Sequence, residues 1–156
     1  MLVVVAAQQA AKGIGRIRLT RVANASASSL EPAITAAIEL GSQVRTDDWR
    51  GYSGLDRLGY RRQIVRSSAD VGENLLPLAN RVASLLKRWL LGTHQGAVSA
   101  EHLDYYLDEY TFRFNRRTSG SRGLLLLRLM QQAIDLSPVP VKELLGERRL
   151  RKNPTN

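Results

Sequence analysis

The chain has 156 residues, enough for one domain with a buried core, and carries 23 lysines and arginines against 14 acids, a net charge of +9. It has no cysteine, which excludes disulfides, a thiolate nucleophile and a sulfur-based zinc site, and its two histidines, His94 and His102, stand too far from paired carboxylates to argue a metal site. No apolar run approaches the roughly 18 residues that span a bilayer, and the opening LVVVAA is short and lacks the basic leader of a signal peptide, so a cytoplasmic protein with an anionic partner is expected.

Leu2 to Ala7 is a continuous apolar run suited to a buried strand. After the turn at Lys12-Gly13, Arg16 to Val22 alternates, with Arg16, Arg18 and Thr20 on one side and Ile17, Leu19 and Arg21 on the other, which predicts the antiparallel partner in a hairpin. Ser26 to Leu40 reads as a helix with Leu30, Ile34, Ala37 and Ile38 on one side and Glu31-Pro32 in its first turn. Gln43 to Asp47 is a short strand ending in acids, Arg50 to Leu58 a short helix or turn, and Tyr60 to Arg66 another strand. Everything beyond Leu75 reads as helical, including Gly123 to Asp135, which Pro138 and Pro140 terminate.

Two amphipathic segments stand out in that helical half. In NRVASLLKRWLLG, Val82, Leu85, Leu86, Trp89 and Leu90 form one apolar stripe, while Asn80, Ser84 and Lys87 fall opposite, with Arg81 and Arg88 flanking. In HLDYYLDEYTFRFNRR, Leu103, Tyr106, Leu107, Tyr110 and Phe114 repeat the rule, with Ser99 placed to cap ahead of His102. The link GTHQGAVS between them reads as a short turn. From Tyr110 to Asn156 ten basic residues face three acids, which suits either a solvated tail or contact with nucleic acid.

Three local features have bland readings as well as sharp ones. Asp47 and Asp48 leave a strand just before Trp49 and Tyr52, where carboxylates either hold a metal against a facing helix or open a turn and cap the next helix. In FRFNRR, Phe112 and Phe114 could stack on bases while Arg113, Arg116 and Arg117 hold phosphate; the plainer alternative buries Phe114 and leaves the arginines to solvent. Gly13-Ile14-Gly15 is too short for a phosphate loop and serves a hairpin turn.

Taken together, TDDWRGYSGLDRLGYRRQIV, LKRWLLGTHQG and HLDYYLDEYTFRFNRR resemble the catalytic domain of bacterial DDE-type insertion-sequence transposases, nearest to the ISXO-like group, from Leu2 to about Asp135. The resemblance implies a ribonuclease-H-like mixed sheet with flanking helices, residues 1–136 forming a partial catalytic domain and 137–156 a basic, flexible tail. It implies DNA as partner and metal-dependent phosphoryl transfer, in which carboxylates hold Mg2+ or Mn2+ at the scissile phosphate. Asp47 matches the second acid of the family and Asn80 the third metal position, where relatives carry histidine, glutamate or asparagine; Glu73 and Asn74 are the alternatives. Asp48 stands where relatives usually have glycine. Lys87 and Arg88, with Arg113, Arg116 and Arg117, are the implied DNA contacts.

The family's first acid lies on a strand that would precede Met1, and that strand is central in the implied sheet. Without it, two sheet fragments with unpaired edges are expected, and each buried unsatisfied backbone group costs on the order of 1 to 3 kcal/mol against a total stability of about 5 to 15. An incomplete, marginal fold is the expectation, and a transposase by descent that is inactive as this chain. The alternatives are a non-catalytic DNA-binding remnant that associates with an intact transposase and inhibits it, or a basic helical module for RNA or protein. A homo-oligomer fits the family, and a membrane partner does not.

Overall fold

The alternation in residues 14–22 places Ile17 and Leu19 on one face of a strand, and that face builds the first core. In the computed structural model, which describes residues 2–66, 75–95, 98–138 and 140, β1 (Leu2–Gln9) and β2 (Ile14–Val22) form an antiparallel hairpin. It turns at Gly13, whose φ of +79° is open to glycine at little cost. Ile17 and Leu19 are buried with Val82 and Leu86 of helix α2 (Pro77–His94) and Leu103, Leu107 and Tyr110 of helix α3 (Leu103–Asn115). Each such side chain contributes about 1.5 to 3 kcal/mol when fully buried.

A second core lies on the other face of the hairpin. Helix α1 (Ala27–Ala37) contributes Leu30 and Ile34, which pack with Leu55 and Tyr60 and are flanked by Val4 and Val22 of the hairpin and by Val44. Val44 belongs to β3 (Gln43–Thr46), which pairs in parallel with β4 (Arg61–Ile64), and a single 3-10 turn at Arg50–Tyr52 lies between them. The Tyr60 hydroxyl donates to the Ile38 carbonyl at 2.9 Å, closing the end of α1. Residues 1–115 form one compact unit and residues 116–156 another; the second contains α4 (Arg122–Asp135), capped by Ser121 Oγ, which accepts from Leu124 N–H at 3.4 Å. The sequence reading divides the chain after residue 136.

The fold is mixed α/β with a helical C-terminal half, and among the described residues its strands form two separate two-stranded sheets, β1-β2 and β3-β4. The elements depart from expectation in several places, with α1 ending at Ala37 and β4 at Ile64, each short of the expected end. Pro32 sits at the sixth helical position of α1 and not in its first turn, tolerated because the exposed Ser28 carbonyl it leaves unpaired can reach water. The expected turn at GTHQGAVS is shorter, since α2 continues through Gly92 to His94 and stops at Gln95 in a left-handed conformation (φ 48°). The same helix begins three residues before Asn80, with Pro77 at its start. β1, expected to be buried, is half-buried, with Leu2 39% exposed.

The outer edge of β2 is closed by a side chain. Asn115 Oδ1 accepts from the Ile17 N–H at 2.7 Å and its Nδ2 donates to the Ile17 carbonyl at 3.0 Å, as a neighbouring strand would. Asn115→Ala leaves both backbone groups of a residue 1% exposed without these partners, and a loss of about 1 to 3 kcal/mol is expected in urea unfolding. Asn115→Asp, which keeps an acceptor and loses the donor, is also expected to destabilise.

Candidate nucleic-acid and metal site

The end of β3 is set by one arginine. Arg62 of β4 donates from Nε to Thr46 Oγ1 at 3.1 Å, and from one terminal nitrogen to the carbonyls of Asp47 at 3.1 Å and Trp49 at 3.4 Å. Its own N–H donates to Asp56 Oδ1 at 3.2 Å. Thr46, buried at the strand end, donates its hydroxyl to the Asp47 carbonyl at 2.8 Å. The chain is thereby turned sharply after Thr46, and the Asp47 carboxylate, exposed, accepts the Trp49 N–H at 3.3 Å through Oδ1. Trp49 in turn donates from its indole to the Ala25 carbonyl at 2.7 Å. Gly51 is required beneath it: a Cβ there would stand 2.5 Å from the Ala25 carbonyl oxygen and 2.7 Å from Leu30 Cδ1.

The two aspartates part company at this turn. Asp48 pairs with Arg66 at 3.1 Å across exposed surface, an interaction of little energetic weight. Asp47 lines a cavity of about 660 Å³ between the two sheets, whose wall also includes Tyr52 and residues 75–79 at the start of α2. Burial first, then the Asp47 carboxylate, raises the Tyr52 phenol above its ordinary value, and Arg62 opposes the shift.

Asn80 follows Ala79 of the cavity wall by one residue, in the first turn of α2, where its N–H donates to the Leu76 carbonyl at 2.9 Å. Asn80 and Lys87 are both exposed, two turns apart on the face of α2 opposite Val82 and Leu86, and Arg81 and Arg88 are exposed beside them. On α3, Arg113 is paired with Glu109 at 2.7 Å, one turn earlier, and remains largely exposed. Arg116 and Arg117 belong to the second compact unit. Phe112 and Phe114 are both half-buried, and Phe114 packs against the first core, 5.9 Å from the Tyr110 ring. Glu73 and Asn74 lie outside the described residues.

The histidines serve packing and capping. His94 meets Trp89 edge-on at 4.9 Å and lies tilted 4.4 Å from Tyr106, and His102 pairs through Nδ1 with Ser99 Oγ at 2.7 Å, with its backbone N–H also donating to Ser99 Oγ at 3.3 Å. A second carboxylate, Glu39, lines the same cavity as Asp47. Its carbonyl accepts from Ser42 N–H at 3.2 Å, just before β3 begins, and Asp47 lies five residues on, roughly 16 Å along extended chain at about 3.3 Å per residue. Among the described residues no three acids or histidines gather to hold a metal ion, and no helix is long and apolar enough to cross a membrane.

Arg62 and Glu39 were missed in the sequence. Arg62 left a faint signal, because it shares strand parity with the buried Tyr60, and an arginine at an inward-facing position needs polar partners. Because the folded chain holds the Tyr52 proton more tightly than the unfolded chain does, this group's contribution to stability is full below pH 10.0 and is lost as pH rises through the raised folded value. Asp47→Asn is expected to lower the Tyr52 titration toward its ordinary value and Arg62→Gln to raise it further, followed by NMR of ring-labelled tyrosine. An Asp47→Asn chain with Tyr52 unmoved would place that carboxylate away from the ring.

The family model for the ISXO2-like transposase domain matches residues 1–115, from β1 to the last residue of α3, which is also the extent of the first compact unit. No curated protein and no solved structure matches the chain. With the strand-end aspartate, the α2 face and the hairpin all inside a match that spans most of the 156 residues, the chain belongs to the family of ISXO2-like insertion-sequence transposases.

Proposed function

We propose that this chain is the DNA-contacting part of an insertion-sequence transposase with a ribonuclease-H-like core, acting in the cytoplasm, and that these 156 residues by themselves bind DNA without cutting or joining it. The observation that supports this reading is the placement of Asp47: an exposed carboxylate at a strand end, lining a cavity that is also lined by the start of the helix that bears Asn80, Lys87 and Arg88. In the intact enzyme of this family, divalent metal would be held at such a carboxylate and would polarise the scissile phosphate.

The donors present do not fit a divalent ion closely. Mg2+ takes oxygen ligands in a tight octahedral set, usually with one or two carboxylates. Here Asp47 offers one carboxylate, Asn80 offers an uncharged carbonyl, Asp48 is engaged by Arg66, and among the described residues no three acids or histidines gather. No catalytic step is therefore assigned to the metal in this chain, and weak binding of Mg2+ or Mn2+ is the expectation. Lys87 and Arg88, exposed two turns beyond Asn80, are placed to hold the phosphates of insertion-sequence ends or target DNA as point and fork donors. Arg113, largely exposed, would add a phosphate contact in the same unit, and Arg116 and Arg117 of the other unit would make phosphate contacts of their own. Association with itself or with an intact transposase, which it would inhibit, fits a DNA-binding chain that cannot complete the reaction.

Incubation with labelled insertion-sequence ends and Mg2+ or Mn2+ is expected to give no cleaved or joined product. Metal-dependent product abolished by Asp47→Asn would overturn the reading of inactivity. DNA affinity, measured by fluorescence anisotropy, is expected to fall steeply with salt and to depend weakly on sequence. The double variant Lys87→Gln, Arg88→Gln should weaken it and flatten the salt slope by about two units. A salt-insensitive, sequence-tight complex would contradict phosphate-based binding.

A further inference from the structure

The turn after β3 leaves a large ring at the surface. Trp49 is 52% exposed and belongs to neither apolar core, whereas tryptophan is ordinarily well covered. The ring is nevertheless fixed. Its indole N–H donates to the Ala25 carbonyl at 2.7 Å, its backbone N–H donates to Asp47 Oδ1 at 3.3 Å, and its carbonyl accepts from Arg62 at 3.4 Å. Gly51 permits this seat, since a Cβ there would stand 2.8 Å from Trp49 Nε1. An aromatic surface that is exposed yet already held in one place loses little conformational entropy on meeting a flat ligand.

The charge at the turn selects the class of ligand. Arg50 follows Trp49, is exposed, and forms no ion pair with a carboxylate among the described residues. With Arg62 at the Trp49 carbonyl and Arg66 paired to Asp48, three arginines stand against the two aspartates of the turn. Tyr105, the other aromatic residue exposed in this unit among the described residues, at 48%, has the opposite setting: on α3 it follows Asp104 and lies one turn before Asp108 and Glu109. A flat apolar ring beside an excess of positive charge matches a nucleotide, base to ring and phosphate to guanidinium.

We infer that Trp49 is a stacking platform for one unpaired nucleobase, beside the Asp47 carboxylate, with Arg50 holding the adjoining phosphate. The base must be unpaired, because inside an intact duplex both faces of a base are covered by its neighbours, and only a frayed end, a gap or an overhang offers a free face. Stacking accepts any base, since every base has a π-face, and this agrees with weak dependence on sequence. The inference rests on the DNA reading above and adds to it a preference for unpaired strand at the Asp47 end of β3.

The test uses the full chain and fluorescein-labelled DNAs that share one duplex: a blunt form, a form forked at one end by a few unpaired thymidines on each strand, and the same fork made of abasic nucleotides, which keeps the phosphates and removes the bases. By anisotropy the thymidine fork is expected to bind about five- to a hundredfold more tightly than the abasic fork. Trp49→Ala and Trp49→Leu should lose that preference and Trp49→Phe should keep most of it, while all these chains bind the blunt duplex alike. The leucine variant keeps apolar bulk and so separates stacking from packing. Should the variants unfold by circular dichroism, the unaltered chain still decides: at equal saturation the thymidine fork should quench tryptophan emission more than the abasic fork, over the equal background of Trp89, which packs against the first core. Equal affinity for the two forks, a preference undiminished in Trp49→Ala or Trp49→Leu, or identical emission with both forks would overturn the proposal. A chain that binds none of these DNAs would sink the DNA reading and this proposal together, whereas one that binds the blunt duplex and does not tell the forks apart would sink this proposal alone.

Discussion

Among the described residues, two β-ladders with no strand in common are held in one unit by an apolar cluster around α1, and the rest of the structure depends on it. Leu30 and Ile34 of α1 bury against Leu55 and Tyr60 below β3-β4 while also meeting Val4 and Val22 of the hairpin. Burial at this junction is non-directional and can hold the ladders side by side, but it cannot satisfy the backbone groups of strand edges. A cavity lined by β1 and β3 lies at this junction. The hairpin's opposite face is better served, since α2 and α3 cover it with a continuous core from Ile17 to Tyr110.

The same junction sets the chemistry of the site. β3 runs for four residues before the Arg62 guanidinium gathers Thr46, Asp47 and Trp49 and turns the chain. That turn separates two adjacent aspartates, sending Asp48 to Arg66 at the surface and Asp47 toward the cavity. A carboxylate held at a strand end by a neighbouring strand's arginine is positioned without being neutralised, because Arg62 reaches the Asp47 carbonyl and not its carboxylate. The start of α2 lines the same cavity.

Much of the scaffold was legible in the residues. The period-2 pattern of Ile17 and Leu19 and the helical spacing of Val82, Leu86, Leu103, Leu107 and Tyr110 named the first core, because burial of one face imposes a period that survives in sequence. Phe114 went to the core for the same reason. Element ends were less legible: Gly92 did not end α2, since an exposed glycine costs a helix only about 1 kcal/mol, and Pro32 did not mark the first turn of α1. Asp47 was visible as an acid leaving a strand, but its separation from Asp48 was not, because both carry the same side chain in the same local context.

What the sequence determined by itself was the family, the order of strands and helices, and which faces are apolar, all of which depend on neighbours within a few positions or on motif. Tertiary structure alone decided that Arg62 clamps the strand end, that Asn115 closes the edge of β2 from 98 residues away, and that β1 and β3 line one cavity. Hydrogen bonds of that kind join residues distant in the chain and leave no period behind, so they exist as information only once the hydrophobic faces have brought the elements together.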